Sequence, residues 1–116
     1  MEKVKSIYVA SPYSSPDEST RQSRFEAVNR YAAKLMLEGF IVFSPLSHSV
    51  PIAEYIGNHN DSNFYVQQDL YWLKHCDEMH ILMLDGWEDS KGVETESVFA
   101  VNNSILIRLI EVKEEL

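Results

Sequence analysis

Four short runs rich in β-branched and aromatic residues punctuate the chain: SIYVA (Ser6 to Ala10), FIVFSP (Phe40 to Pro45), MHILML (Met79 to Leu84) and ILIRLI (Ile105 to Ile110). The third begins at Met79 or one residue earlier, at Glu78. Between the runs lie segments whose apolar residues recur at helical spacing. Phe25, Val28, Ala32, Leu35 and Met36 fall on one helix face, and Gly39 closes that helix in the usual C-terminal place. Its start matches a capping box, with Ser15 as N-cap, Pro16 at the first helical position and Glu18 reaching back. A second helix is expected from about Asn63 to Cys76 and a third from Val93 to about Asn102, whereas Leu46 to Ser62 reads as a loop with one short helix.

Strands alternating with helices imply a parallel sheet covered on both faces. The expectation is a small doubly wound α/β fold, flavodoxin-like or Rossmann-like, with four to five strands. At 116 residues the chain has the length of one domain. Ligands of such sheets bind beyond the carboxyl ends of the strands. The segments leaving the first three strands, SPYSS, SPLSHS and DGWEDSKG, are rich in Ser, Gly and Pro and should project to that one edge.

Composition narrows the function. A formal charge of −8 argues against a nucleic-acid surface, which needs clustered Lys and Arg, but leaves a single nucleotide possible. Cys76 is the only cysteine, which precludes an internal disulfide and suggests a reducing, cytoplasmic setting. No apolar run approaches the roughly 18–20 residues that span a bilayer. The strand-like run near the start leaves no room for a signal peptide. The histidines His59, His75 and His80 share no metal-ligand spacing with Cys76 or Asp61, so no metal and no cofactor is assigned.

Two carboxylates stand out. On the helix NFYVQQDLYWLKHC, Tyr65, Val66, Leu70, Trp72, Leu73 and Cys76 form one apolar arc with Asp69 near its middle. An ionised carboxylate buried without a partner costs several kcal/mol, so Asp69 either serves a site or lies at an exposed end and caps a loop. Glu96 is read in the first turn of the helix after the third strand. There the helix dipole favours its anion, and plain dipole compensation, by Glu96 or by Glu94, is the alternative. His48, after the second strand, is either a ligand contact or an ordinary loop histidine. Trp87 either stacks on a base or packs the loop. Arg21 and Arg24 are read as surface residues that could assist a phosphate.

Three motifs in order, IYVASPYS, QQDLYWLKHCD and DGWEDSKGVETE, resemble the nucleoside 2-deoxyribosyltransferase superfamily, and in particular its small 2'-deoxynucleoside 5'-phosphate N-hydrolases. The resemblance implies Glu96 as the nucleophile at the sugar's anomeric carbon, Asp69 as the carboxylate beside sugar and base, and Tyr8 as the residue orienting the nucleophile. It also implies Gly92 as the glycine that permits close approach, and Ser90, where the transferases tend to carry an acid, as a 5'-phosphate contact with Ser11. Here Ser11 replaces a glycine of the relatives, and Glu94 stands where they often have glycine. The implied function is cleavage, by water or by base exchange, of the N-glycosidic bond of a deoxynucleotide or deoxynucleoside, in a homodimer or larger homo-oligomer. A non-catalytic nucleotide-binding or sensing module and an oligomeric scaffold are the rivals from other classes.

Overall fold

The structure is a computed structural model, described here for residues 3–57 and 63–112. The elements run β1 (Ser6–Ala10), α1 (Glu18–Leu37), β2 (Ile41–Phe43), α2 (Pro45–Ala53), α3 (Asn63–Lys74), β3 (Glu78–Leu82), a 3-10 turn (Trp87–Asp89), α4 (Lys91–Asn102) and β4 (Leu106–Ile110). Among the described residues four strands form one parallel sheet in the order β2-β1-β3-β4. This is the α/β architecture expected from the alternation. His59, Asp61 and the end of the charged tail lie outside the described residues.

Strand β1 is central and its last four residues are buried, as a parallel strand covered on both faces should be. Alternate side chains go to opposite layers. Ile7 and Val9 pack with Val28, Tyr31 and Leu35 of α1, while Tyr8 and Ala10 pack with Leu73 of α3 and Val93 and Ala100 of α4. Fully burying a side chain such as Leu73 contributes about 1.5–3 kcal/mol, so both layers press on the strand that carries Tyr8.

Four local expectations are corrected. The N-cap of α1 is Asp17, not Ser15. Its carboxylate accepts from Thr20 N at 3.2 Å, from the Thr20 hydroxyl at 2.6 Å and from the Ser19 hydroxyl at 2.8 Å. Ser15 supports the cap from outside by accepting from Asp17 N at 3.1 Å, and Glu18 is the first helical residue. An ionised oxygen collecting three donors outcompetes a single hydroxyl. Pro45 does not merely stop β2. Ser44 is an N-cap, accepting from Ser47 N, and Pro45 starts the nine-residue helix α2, so the one short helix expected within this stretch begins directly after the strand. Met36 and Trp72, both placed on apolar faces by periodicity, are 63% and 43% exposed, because each lies at the margin of its arc. Finally, α4 begins at Lys91 with Ser90 as N-cap, which moves Glu96 to the sixth helical position; the acid in the first turn is Glu94.

Candidate functional site

A cleft of about 1130 Å³ opens at the carboxyl edge of the sheet. Its walls are the loop after β1 (Ser11 to Ser15), the inner face of α2, one face of α3, and the stretch from Gly86 to Glu96. This size is slightly above the usual range of small-molecule sites. Helix geometry decides who faces it. Tyr65, Val66, Asp69 and Leu70 share one face of α3, and Gly92, Thr95 and Glu96 share one face of α4, while Val93 and Ala100 turn to the core. Among the described residues no three of His, Cys, Asp and Glu gather as a metal centre.

Asp69 and Glu96, distant in sequence, line this one cleft. The Tyr8 hydroxyl, at the middle of the buried β1, donates to Glu96 Oε2. Burial pushes the Glu96 carboxyl up to about 8, with the Asp69 charge adding to the rise and the Tyr8 bond opposing it. Burial pushes Asp69 up to about 6. Tyr8 is raised well above the ordinary phenol range by burial and by both carboxylates, so it keeps its proton and remains a donor. The dipole-stabilised anion expected at Glu96 is therefore replaced by an acid that burial keeps protonated against the bond from Tyr8. Two like groups lining one cleft cannot both ionise cheaply, so each favours the protonated form of the other.

The remaining polar groups divide. Ser11 Oγ is buried and has no hydrogen-bond partner among the described residues. Ser90 Oγ accepts from Val93 N at 3.2 Å, which caps α4 and leaves its own hydroxyl proton free to donate into the cleft. A Cβ added at Gly92 would meet only Ser90 Oγ, at 3.9 Å, so the protein's own packing does not require the glycine there. His48 and Trp87 are not part of the cleft wall. His48 is exposed on α2 with its ring 5.9 Å from Phe43, and Trp87 packs against the core on the α3 and α4 side. Arg21 and Arg24, taken for surface residues, do line the cleft, as do Tyr13, Ser49 and Thr95. Their one sequence signal is position: both arginines fall in the first two turns after the Ser-rich loop.

The fold is similar to the solved structure of a 2-deoxyribosyltransferase from the psychrotolerant bacterium Bacillus psychrosaccharolyticus, with a TM-score of 0.67 and 24% identity over 91% of this chain and 72% of that one. No curated protein sequence matches significantly. A family model described as Domain of unknown function (DUF1937) matches residues 5–111. The chain therefore belongs to the DUF1937 family, and its sheet and helices are those of a deoxyribosyltransferase-like α/β fold.

Proposed function

We propose that the cleft breaks the N-glycosidic bond of a 2'-deoxynucleoside or its 5'-monophosphate, with Glu96 as nucleophile. The observation that carries this reading is the Tyr8 hydroxyl on Glu96 Oε2 in a cleft that Asp69 also lines. Tyr8 holds one carboxylate oxygen, which fixes the rotamer and turns the other oxygen toward the sugar. Bond cleavage develops oxocarbenium character at the anomeric carbon, and the adjacent carboxylate stabilises it before closing on it. Asp69 protonates the leaving base, so the reacting form of the pair carries its proton on Asp69 and leaves Glu96 ionised, although burial raises Glu96 further than Asp69. Water or a second base then attacks the glycosyl-enzyme from the face the first base left, so the anomeric configuration is retained. A 2-deoxy sugar lacks the electron-withdrawing 2-hydroxyl, so few catalytic groups suffice. Ser11, Ser90 and Gly92 take the 5'-end, and the apolar wall of Leu46, Val50 and Leu70 takes the base.

The test is release of free base, followed by chromatography, from a panel of deoxynucleosides and their monophosphates. Release that Glu96→Ala removes supports the proposal. Nucleotide binding without turnover, unaffected by that substitution, replaces it with a sensor.

A further inference from the structure

Asp69 stands one turn before the point at which its helix is anchored to the core. Leu73 of α3 is fully buried in the cluster around Tyr8, with Leu70 and Cys76 packed against that cluster, whereas Tyr65, Val66 and Asp69 face the cleft. No hydrogen bond among the described residues holds the Asp69 carboxyl, so its aim is set by the helix alone. Leu70, Leu73 and Cys76 recur three residues apart and form a single row. One row of contacts fixes the depth of a helix but resists rolling about its axis only weakly.

Trp72 supplies a second point, about 100° around the helix from Leu73. Its indole stacks on Phe43 of β2, with ring centroids 5.3 Å apart and planes at 26°. Phe43 tilts in turn against Tyr8 at 5.9 Å, and the two are direct partners in the parallel ladder between β2 and β1. The rings of Tyr8, Phe43 and Trp72 thus run outward from the buried strand to α3. Neither Phe43 nor Trp72 lines the cleft. Side chains reach about 5–6 Å from a helix axis, so a roll of about 10° would carry the Asp69 carboxyl by about 1 Å. A displacement of that size costs a proton donor up to about a hundredfold in rate, while the fold barely registers it.

We propose that Trp72, braced on Phe43, is a positioning residue that sets the roll of α3 and so aims Asp69 at the leaving base. This rests on the glycosidic reading above and deepens it. Because Phe43 also bears on Tyr8, the column of rings ties the aim of the acid to the strand whose tyrosine holds Glu96. The two carboxyl groups are kept in register through aromatic contacts, with no polar link between them.

The experiment compares kcat on two leaving groups, taken per folded molecule. One substrate is a purine deoxynucleoside monophosphate, whose base needs a proton to leave. The other is a 2-deoxyribosyl pyridinium monophosphate, whose pyridine leaves neutral without one. Trp72→Leu lowers kcat on the purine substrate by about 10–100-fold and on the pyridinium by less than about threefold. Trp72 is 43% exposed, so its replacement leaves the core intact. Trp72→Phe, which keeps a ring on Phe43, recovers most of the loss. Adding Phe43→Leu to Trp72→Leu lowers the purine-to-pyridinium ratio no further. Equal losses on both substrates would make the stack merely structural. An unchanged ratio, or a Trp72→Phe protein as impaired as Trp72→Leu, would also overturn the proposal. Should wild type release neither leaving group, the glycosidic reading fails, and the roll of α3 is read instead from the titration of the Asp69 carboxyl by carbon NMR. Trp72→Leu shifts that titration and Trp72→Phe restores it; identical curves in all three proteins overturn the positioning role.

Discussion

Two glutamates at opposite ends of the same sheet, Glu78 buried and Glu96 half-buried at the cleft, have opposite fates. Glu78 opens β3 at the amino edge, where Lys5 Nζ reaches its Oε2 at 2.8 Å and Arg108 Nε and His80 Nε2 reach its Oε1 at 3.0 and 3.1 Å. Tyr31 steadies His80 in turn, across 2.6 Å to Nδ1. The bond from Lys5, with those from His80 and Arg108, brings the Glu78 carboxyl down to about 2 against the cost of its burial. Glu96, at the carboxyl edge, has a neutral phenol as its partner and a second acid as its neighbour. The same chain that surrounds one acid with cations leaves the other unmatched. Such contrast within one fold is what separates a structural carboxylate from one held for chemistry.

That contrast can be broken most severely at Glu96. Glu96→Gln is expected to reduce base release by about a thousandfold or more, read as kcat on the best monophosphate. The same variant sharpens the electrostatic half of the comparison. The folded Glu96 holds its proton up to about 8 while an ordinary glutamate releases it near 4.5, so burial lowers stability progressively as pH rises between those values. The Tm advantage of Glu96→Gln over wild type should therefore grow from pH 5 to pH 8. An advantage that is flat with pH counts against the raised carboxyl. Tyr8→Phe removes the one side-chain donor to Glu96 among the described residues and should lower kcat by about 10–100-fold with a smaller change in KM, measured by the same assay. Equal effects of Tyr8→Phe on kcat and on Tm would make the bond merely structural.

At the other edge the expected effects fall on stability. Glu78→Gln should cost about 2 kcal/mol at pH 7, a figure held down by the half-exposed Lys5 and Arg108 side chains. Because the Glu78 carboxyl is lowered, its contribution is present above about 4.5 and is lost as pH falls toward 2, so the deficit measured by urea titration should close in acid. Specific activity per folded molecule should not change. The smallest effect is at Gly92, in the first turn of α4. Gly92→Ala should raise stability by about 0.5–1 kcal/mol, since the site has room for a methyl group and helix propensity favours alanine. It should nevertheless weaken substrate binding, because that methyl faces the cleft.

The sequence made the sheet legible because each strand is a continuous apolar run, as burial on both faces requires. Asp69 was conspicuous for the same reason: a charge inside an apolar arc has few innocent explanations. Glu96 was placed two helical positions too early, since the glycine at 92 looked like the end of a loop whereas Ser90 was already capping. The Ser44–Pro45 pair carried the signal for α2, yet a proline after a strand reads equally as a stop. Arg21 and Arg24 looked like solvent-facing helix residues, and their partners are carbonyls on a nearby loop and on another 61 positions away. No local pattern reports a contact of that kind. Trp87 and His48 had the chemistry of ligand contacts, but core packing claimed one and an exposed helix face the other.

The bond from Tyr8 to Glu96 joins residues 88 positions apart. Closing so long a segment costs entropy, and the junction is expected to form once β1 has gained both of its neighbours from far down the chain. A partly folded molecule with native helices would still lack this junction. Recovery of turnover during refolding should accordingly trail the return of helical signal, and a chain halted before α4 on the ribosome would have no nucleophile to misfire.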